Sequence, residues 1–203
     1  MKRVLFLAVV IMALPAVVMA GGKTNKTTAE PAAAPANDNE IHWITNIDEL
    51  QAKMQQHPKK VIVDLYTSWC GWCKKMDAAT YSNPALIKYV NNNFYAVRFD
   101  AERQDTINFQ GKQYFFIPQY KANSFALEML KGQMSYPTTV IMLENFQSPQ
   151  PYAGYMTVPQ METILTFYGD NVMRHQSGGD YQKSYHPSWD HGAAPDMTPP
   201  PGH

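Results

Sequence analysis

Residues 61–66, Val-Ile-Val-Asp-Leu-Tyr, are an almost wholly apolar, β-branched run that leads through Thr67-Ser68-Trp69 into Cys70-Gly71-Trp72-Cys73. A run of that kind is a strand covered on both faces, and such strands belong to sheets that carry helices on either side. The residues after Cys70 read as a helix, so the chain is directed to a mixed α/β fold with a C-x-x-C pair at a strand-to-helix junction.

The neighbouring patterns agree with that fold class. Residues 41–44 read as a short strand and 46–56 as a helix with Ile47, Leu50 and Met54 on one face, Thr45 or Asn46 as its cap and His57-Pro58 as its end. Ser82-Asn83-Pro84 starts a second helix that runs to about residue 92, and 94–100 is the next strand. Residues 107–116 form a hairpin about Gln110-Gly111, and 124–130 a helix with Gly132 just beyond it. Strands at 138–143 and 151–156 and a closing helix at 159–172 complete one domain, residues 41–173.

The flanks differ in kind. Met1-Lys2-Arg3, an uncharged run and Val18-Met19-Ala20 make residues 1–20 a signal peptide cut after Ala20, and the protein is expected to be exported to the periplasm or another extracytoplasmic space. The alternative is a retained anchor, in which case the protein meets the membrane; residues 4–20 are at the short limit for a hydrocarbon core of about 30 Å. Residues 21–40, poor in aromatic and large aliphatic side chains, are read as a flexible linker. Residues 174–203 turn to Gly, Pro, Ser, His and Asp and are read as a disordered tail, although Tyr181, Tyr185 and Trp189 could make contacts.

Charge and cysteine content narrow the function. Lys plus Arg (17) balances Asp plus Glu (17) over 203 residues, so there is no positive field for nucleic acid. Losing Lys2 and Arg3 with the leader would take the basic count from 17 to 15. Two cysteines exclude a multiply stapled mini-fold and a four-thiolate zinc site.

At a helix N-terminus the Cys70 sulfur is stabilised as thiolate by the dipole and the unpaired N–H groups, which makes Cys70 the attacking nucleophile. Cys73, one turn further in and less exposed, resolves the mixed disulfide. Gly71 frees the turn, Trp72 offers an apolar contact surface, and Lys74 and Lys75 are solvated. Three alternatives stand beside the redox reading. Zinc would need two more ligands, with His57 the nearest; copper(I) could draw on Met76 and Met134; an inert structural disulfide is the third.

Trp69-Cys70-Gly71-Trp72-Cys73 after Val61-Ile-Val-Asp-Leu resembles the thioredoxin active-site strand and turn. With Lys74-Lys75-Met76-Asp77 and Ser82-Asn83-Pro84, the segment is similar to exported bacterial thioredoxin-like proteins related to the C-terminal domain of the thiol:disulfide interchange reductase. The resemblance covers residues 41–173 and implies a thioredoxin fold, a central mixed β-sheet flanked by helices, with an inserted hairpin-like segment at 101–133 before the cis-proline loop. It implies that Asp64 is the buried aspartate that moves the proton of the second cysteine, a role suited to an unpaired carboxylate of raised pKa; a solvated strand-end residue is the alternative. It also implies that Pro137 is the cis-proline, with a trans loop as the alternative, and that the backbone of Tyr136 pairs with an extended substrate beside Trp69, Gly71 and Trp72. Three departures stand out: Ala96 is read at the position of the family's lysine, Gly71-Trp72 replaces Gly-Pro, and the insert is expected to cover part of the active-site face.

The function expected is an exported protein thiol:disulfide oxidoreductase that reduces or exchanges disulfides. Its partners are disulfide- or thiol-containing proteins and an upstream thiol electron donor, and it needs no cofactor or metal. A non-catalytic binding module using Trp72, Tyr136 and the aromatic tail, and a copper(I)-handling protein, are the alternatives.

Overall fold

A computed structural model describes residues 38–190, 192 and 197–200. The leader expected at residues 1–20 and the linker at 21–40, save its last three residues, lie outside them.

The run that opened the sequence reading forms β2 (Lys60–Tyr66), buried from Lys60 to Leu65. Its alternation divides the interior, since successive strand side chains point to opposite faces. Val61, Val63 and Leu65 join one core with Ile47, Leu50 and Met54 of α1 (Ile47–Gln56) and with Phe125, Ala126 and Met129 of α4 (Ser124–Met129). Ile62 joins the other, with Met76 of α2 (Gly71–Met76), Leu86, Ile87 and Val90 of α3 (Pro84–Asn93), and Met161 and Leu165 of α5 (Val158–Gly169). Asp64 shares the parity of Ile62 and faces this second layer.

The sheet order is β1 (Trp43–Ile44), β3 (Phe94–Asp100), β2, β8 (Thr138–Met142), β9 (Gln150–Ala153). The first three strands run parallel, β8 runs antiparallel to β2, and β9 antiparallel to β8. This is the mixed, helix-flanked sheet that the thioredoxin resemblance implies. Helix starts follow local chemistry: the Asn46 side chain accepts from Asp48 N at 2.8 Å. Asn83 accepts from Ala85 N and Leu86 N, each at 3.0 Å, with Pro84 in the first turn.

The insert holds the expected hairpin, β4 (Ile107–Phe109) and β5 (Lys112–Tyr114), with Gln110 and Gly111 both at positive φ. A second pair, β6 (Phe116–Ile117) with β7 (Ala122–Asn123), follows it. The hairpin does not form the expected cover. Ile107, Phe109 and Tyr114 are buried in the core under α1, and Gln51 of α1 bonds Asn108 O and Gln110 N.

The C-terminal expectation is corrected more deeply. Residues 178–184 form α6 (Gly178–Ser184), capped by Ser177, and residues 185–189 are tied to α5. The anchor is Glu162, fully buried, whose Oε1 accepts from Tyr185 OH at 2.8 Å, Ser188 N at 2.7 Å and Ser188 Oγ at 3.2 Å, while Oε2 accepts from Trp189 N at 3.0 Å. Trp189 packs on Tyr89 at 5.2 Å. Composition alone marks this segment as disordered because its partners are on another helix. Glu162→Ala should release it, costing roughly 3 kcal/mol, since hydrogen bonds to a buried charge are the strong ones. Urea denaturation and the Trp189 fluorescence of the variant check this; an unchanged midpoint would show that the carboxylate does not hold the segment.

Candidate active site

The end of β2 and the start of β8 lie side by side, because the antiparallel register sets Leu65 opposite Thr138. Each strand leaves the sheet there into one half of the site. Beyond β2 the chain turns, Cys70 N donating to Thr67 O at 3.2 Å, and enters α2 with Cys70 as its cap. Cys70 and Cys73 are joined as a disulfide, and Cys73 N donates to Cys70 Sγ at 3.0 Å. That N–H is among the unpaired donors of the helix start expected to favour a thiolate at Cys70. Before β8 the Tyr136-Pro137 peptide is cis, and Gly154 N holds Pro137 O at 2.8 Å.

Two aromatic pairs bound the disulfide. Trp69, 60% exposed, meets Tyr136 edge-on at 6.1 Å, and its Nε1 donates to Glu102 Oε1 at 3.0 Å. Trp72 packs on Tyr155 at 5.5 Å, with Lys75 Nζ over its ring at 5.0 Å. The insert thus reaches the site through its first residues. Burial, helped by Glu102 and Asp100, pushes the Tyr136 hydroxyl up to about 12. Lys75 is not simply solvated: its Nζ donates to Thr198 O at 2.8 Å.

One expectation fails on exposure. Cys70 is only 1% exposed and Cys73 3%, so Cys70, expected as the nucleophile, is no more open than Cys73 in the disulfide form.

Asp64 is 2% exposed, which removes the solvated strand-end alternative. Burial pushes its carboxyl up to about 7, Arg98 opposes that, and Asp77 adds to it. The β3 residue in register with Asp64 is Arg98, whereas Ala96 pairs with Ile62. The basic residue beside the carboxylate is therefore Arg98, two positions beyond Ala96. Arg98 Nε lies 3.7 Å from Asp64 Oδ2, but its Nη2 bonds Asp77 Oδ2 directly, and its guanidinium covers the rings of Tyr66 at 4.7 Å and Trp43 at 5.9 Å. Tyr81, buried behind Asp64, pairs with Thr139 at 3.2 Å, and burial together with the Asp64 charge raises its pKa well above the ordinary value.

The sequence reading missed Arg98, Asp77, Tyr81, Glu102 and Tyr155. A charged residue in Phe94-Tyr-Ala-Val-Arg-Phe-Asp100 was the available signal for the first, since arginine enters a buried strand only with a partner. Of the metal alternatives, Met76 lies in the second core and Met134 stands at the surface.

The family Thioredox_DsbH, described as a protein of unknown function, DUF255, matches residues 26–169. Among curated proteins, spermatogenesis-associated protein 20 of Mus musculus is 24% identical over 105 residues, 44% of this chain and 13% of that protein. The thiol:disulfide interchange protein DsbD of Pectobacterium atrosepticum is 33% identical over 48 residues, 24% of this chain and 8% of that protein. The match thus spans about an eighth or less of those relatives' own length. A solved thioredoxin-fold protein from Helicobacter pylori overlays with a TM-score of 0.47 at 17% identity, over 62% of this chain and 78% of that one.

The buried carboxyl carries a pH signature. Folded protein keeps a proton on Asp64 up to about pH 7, whereas an unfolded chain releases it near pH ~4. The folded state binds the extra proton between those values, so stability falls as pH rises from about 4 to about 7 and this contribution is level above, the total being roughly 4 kcal/mol at most. Asp64→Asn should remove that slope: in urea the variant should be the more stable at about pH 8 and close to wild type at about pH 4. Coincident midpoints at the higher pH would show that the carboxylate is not held in an apolar setting.

Proposed function

The chain belongs to the thioredoxin-like Thioredox_DsbH family, and from that membership we propose that it is an exported thiol:disulfide oxidoreductase that reduces or exchanges disulfides in extracytoplasmic proteins. The observation that carries this reading is the Cys70–Cys73 disulfide at the start of α2 in a strand-to-helix turn whose strand bears the buried Asp64. The leader-like residues 1–20 support export.

In the reducing direction the Cys70 thiolate attacks one sulfur of a substrate disulfide, forming a mixed disulfide and expelling the second substrate sulfur, which takes up a proton. Cys73 then gives its proton to the Asp64 carboxylate and attacks the Cys70 sulfur. The first substrate sulfur leaves as a thiolate and takes up the proton that Asp64 received, and the Cys70–Cys73 bond re-forms. Two electrons pass to the substrate in each cycle, so an upstream protein dithiol must restore the pair. A carboxyl near neutral pKa suits the middle step, because it can accept a proton and release it again at the same pH. Trp69, Gly71, Trp72, Tyr136 and Pro137 make the surface on which the substrate chain lies, with the Tyr136 backbone as its pairing edge.

The near-complete burial of Cys70 favours a second reading, a binding module on the same scaffold. The variants separate the two. Cys70→Ser should abolish disulfide reduction, Cys73→Ser should accumulate a mixed disulfide visible on non-reducing gels, and Asp64→Asn should slow turnover at neutral pH by roughly 10²-fold. Equal activity in the two cysteine variants would end the enzymatic reading, and unchanged partner affinity in the double variant would establish the binding one.

A further inference from the structure

Among the described residues, the buried side-chain polar atoms without a hydrogen-bond partner are Thr67 Oγ1, Tyr136 OH and Tyr155 OH. All three belong to the rim or the turn of the C-x-x-C pair. The tyrosines are partly exposed residues packed on Trp69 and Trp72, at the mouth of the site. Thr67 differs: it is 1% exposed, inside the turn, and its own carbonyl receives Cys70 N at 3.2 Å.

A buried hydroxyl left without a partner is unfavourable, and an isolated exception in a well-packed site calls for a state in which the group is used. Such a state is set by the sulfurs. In the disulfide neither sulfur is a strong acceptor; on reduction each can become a thiolate, which is one. The Cys70 sulfur already has a donor, Cys73 N at 3.0 Å. Among the described residues none donates to the Cys73 sulfur, and Cys73 is only 3% exposed. The resolving thiolate would thus form in the poorer setting of the two, although the second half of the reaction depends on it.

We propose that the Thr67 hydroxyl is the donor for the reduced form: once the Cys70–Cys73 bond opens, rotation about its Cα–Cβ bond turns Oγ1–H to the Cys73 sulfur and stabilises it, most strongly as the thiolate that forms when Asp64 takes its proton. Thr67 is then a positioning residue, idle in the disulfide and engaged in the dithiol, and it biases the pair towards reduction. This rests on the redox reading above. Arg98 on β3, and Asp77 and Tyr81 at the two ends of the π-helical segment between α2 and α3, are the charged and titratable groups beside Asp64, and the Thr67 substitutions leave all of them in place.

The test is the redox equilibrium of the full chain with dithiothreitol near neutral pH, for wild type, Thr67→Val and Thr67→Ser. Reduction breaks the Cys70–Cys73 bond and closes the reagent's own disulfide; two electrons pass, and the reagent's thiols supply the two hydrogens. Valine keeps the shape and loses the donor, so the equilibrium should move about tenfold towards the disulfide, about 30 mV more negative. Serine should stay within about twofold of wild type. The Tm of oxidised Thr67→Val should be no lower than that of wild type, because no bond is lost, whereas the reduced variant should melt below reduced wild type.

A Thr67→Val potential equal to wild type, or an equal fall in Tm in both redox states, overturns the proposal. An oxidised valine variant that does not fold overturns it too, since the hydroxyl would then be serving the disulfide form; Thr67→Ala, with the same expected direction, checks that result. If wild type itself does not exchange with dithiothreitol, the redox reading falls first. If wild type exchanges and valine matches it, Thr67 alone is ruled out.

Discussion

The two-sided burial of β2 is the constraint on which the rest of the structure rests. A strand covered by helices on both faces cannot carry a polar side chain without a cost of several kcal/mol unless that group is paired or neutral. β2 carries one near its C-terminal end, Asp64, at 2% exposure. Everything around it limits how far it is paired. Arg98 is in register beside it on β3, yet its direct bond goes to Asp77, and the approach to Asp64 is 3.7 Å. Desolvation therefore outweighs the ion pair, and the carboxyl stays near neutrality rather than at the low value a full partnership would give.

The same division of roles recurs in the sulfur pair. Helix α2 starts at Cys70, so the first sulfur receives the N–H of Cys73 and the favourable end of the dipole, while the second has no such donor among the described residues and both cysteines are buried. One strand supplies the turn and the carboxyl; its antiparallel neighbour supplies the cis-proline loop. The sheet register brings together groups that lie more than sixty residues apart in sequence.

Away from the site, Glu162 shows how a buried charge can order a segment that has no apolar pattern of its own. Four donors from residues 185–189 converge on one carboxylate, and Trp189 covers the junction against Tyr89. Further along, Thr198 O meets Lys75, beside Trp72 on α2. A chain stretch composed like a tail is thereby built into the second layer of the fold.

The sequence by itself determined the elements and the chemistry of the turn. Periodicity, the Asn46 and Asn83 caps and the β-branched run at 61–66 are local signals, and local signals place strands and helices within about three residues. The C-x-x-C spacing likewise announces its own chemistry. Tertiary structure alone decided that Arg98 rather than Ala96 lies beside Asp64, that Asp77 takes the direct bond of that arginine, that the hairpin packs under α1, that Cys70 is buried, and that residues 177–189 are ordered. Each of these depends on sheet register or on a partner many residues away, and neither the charge a neighbour carries nor the water it excludes is written in the residue itself.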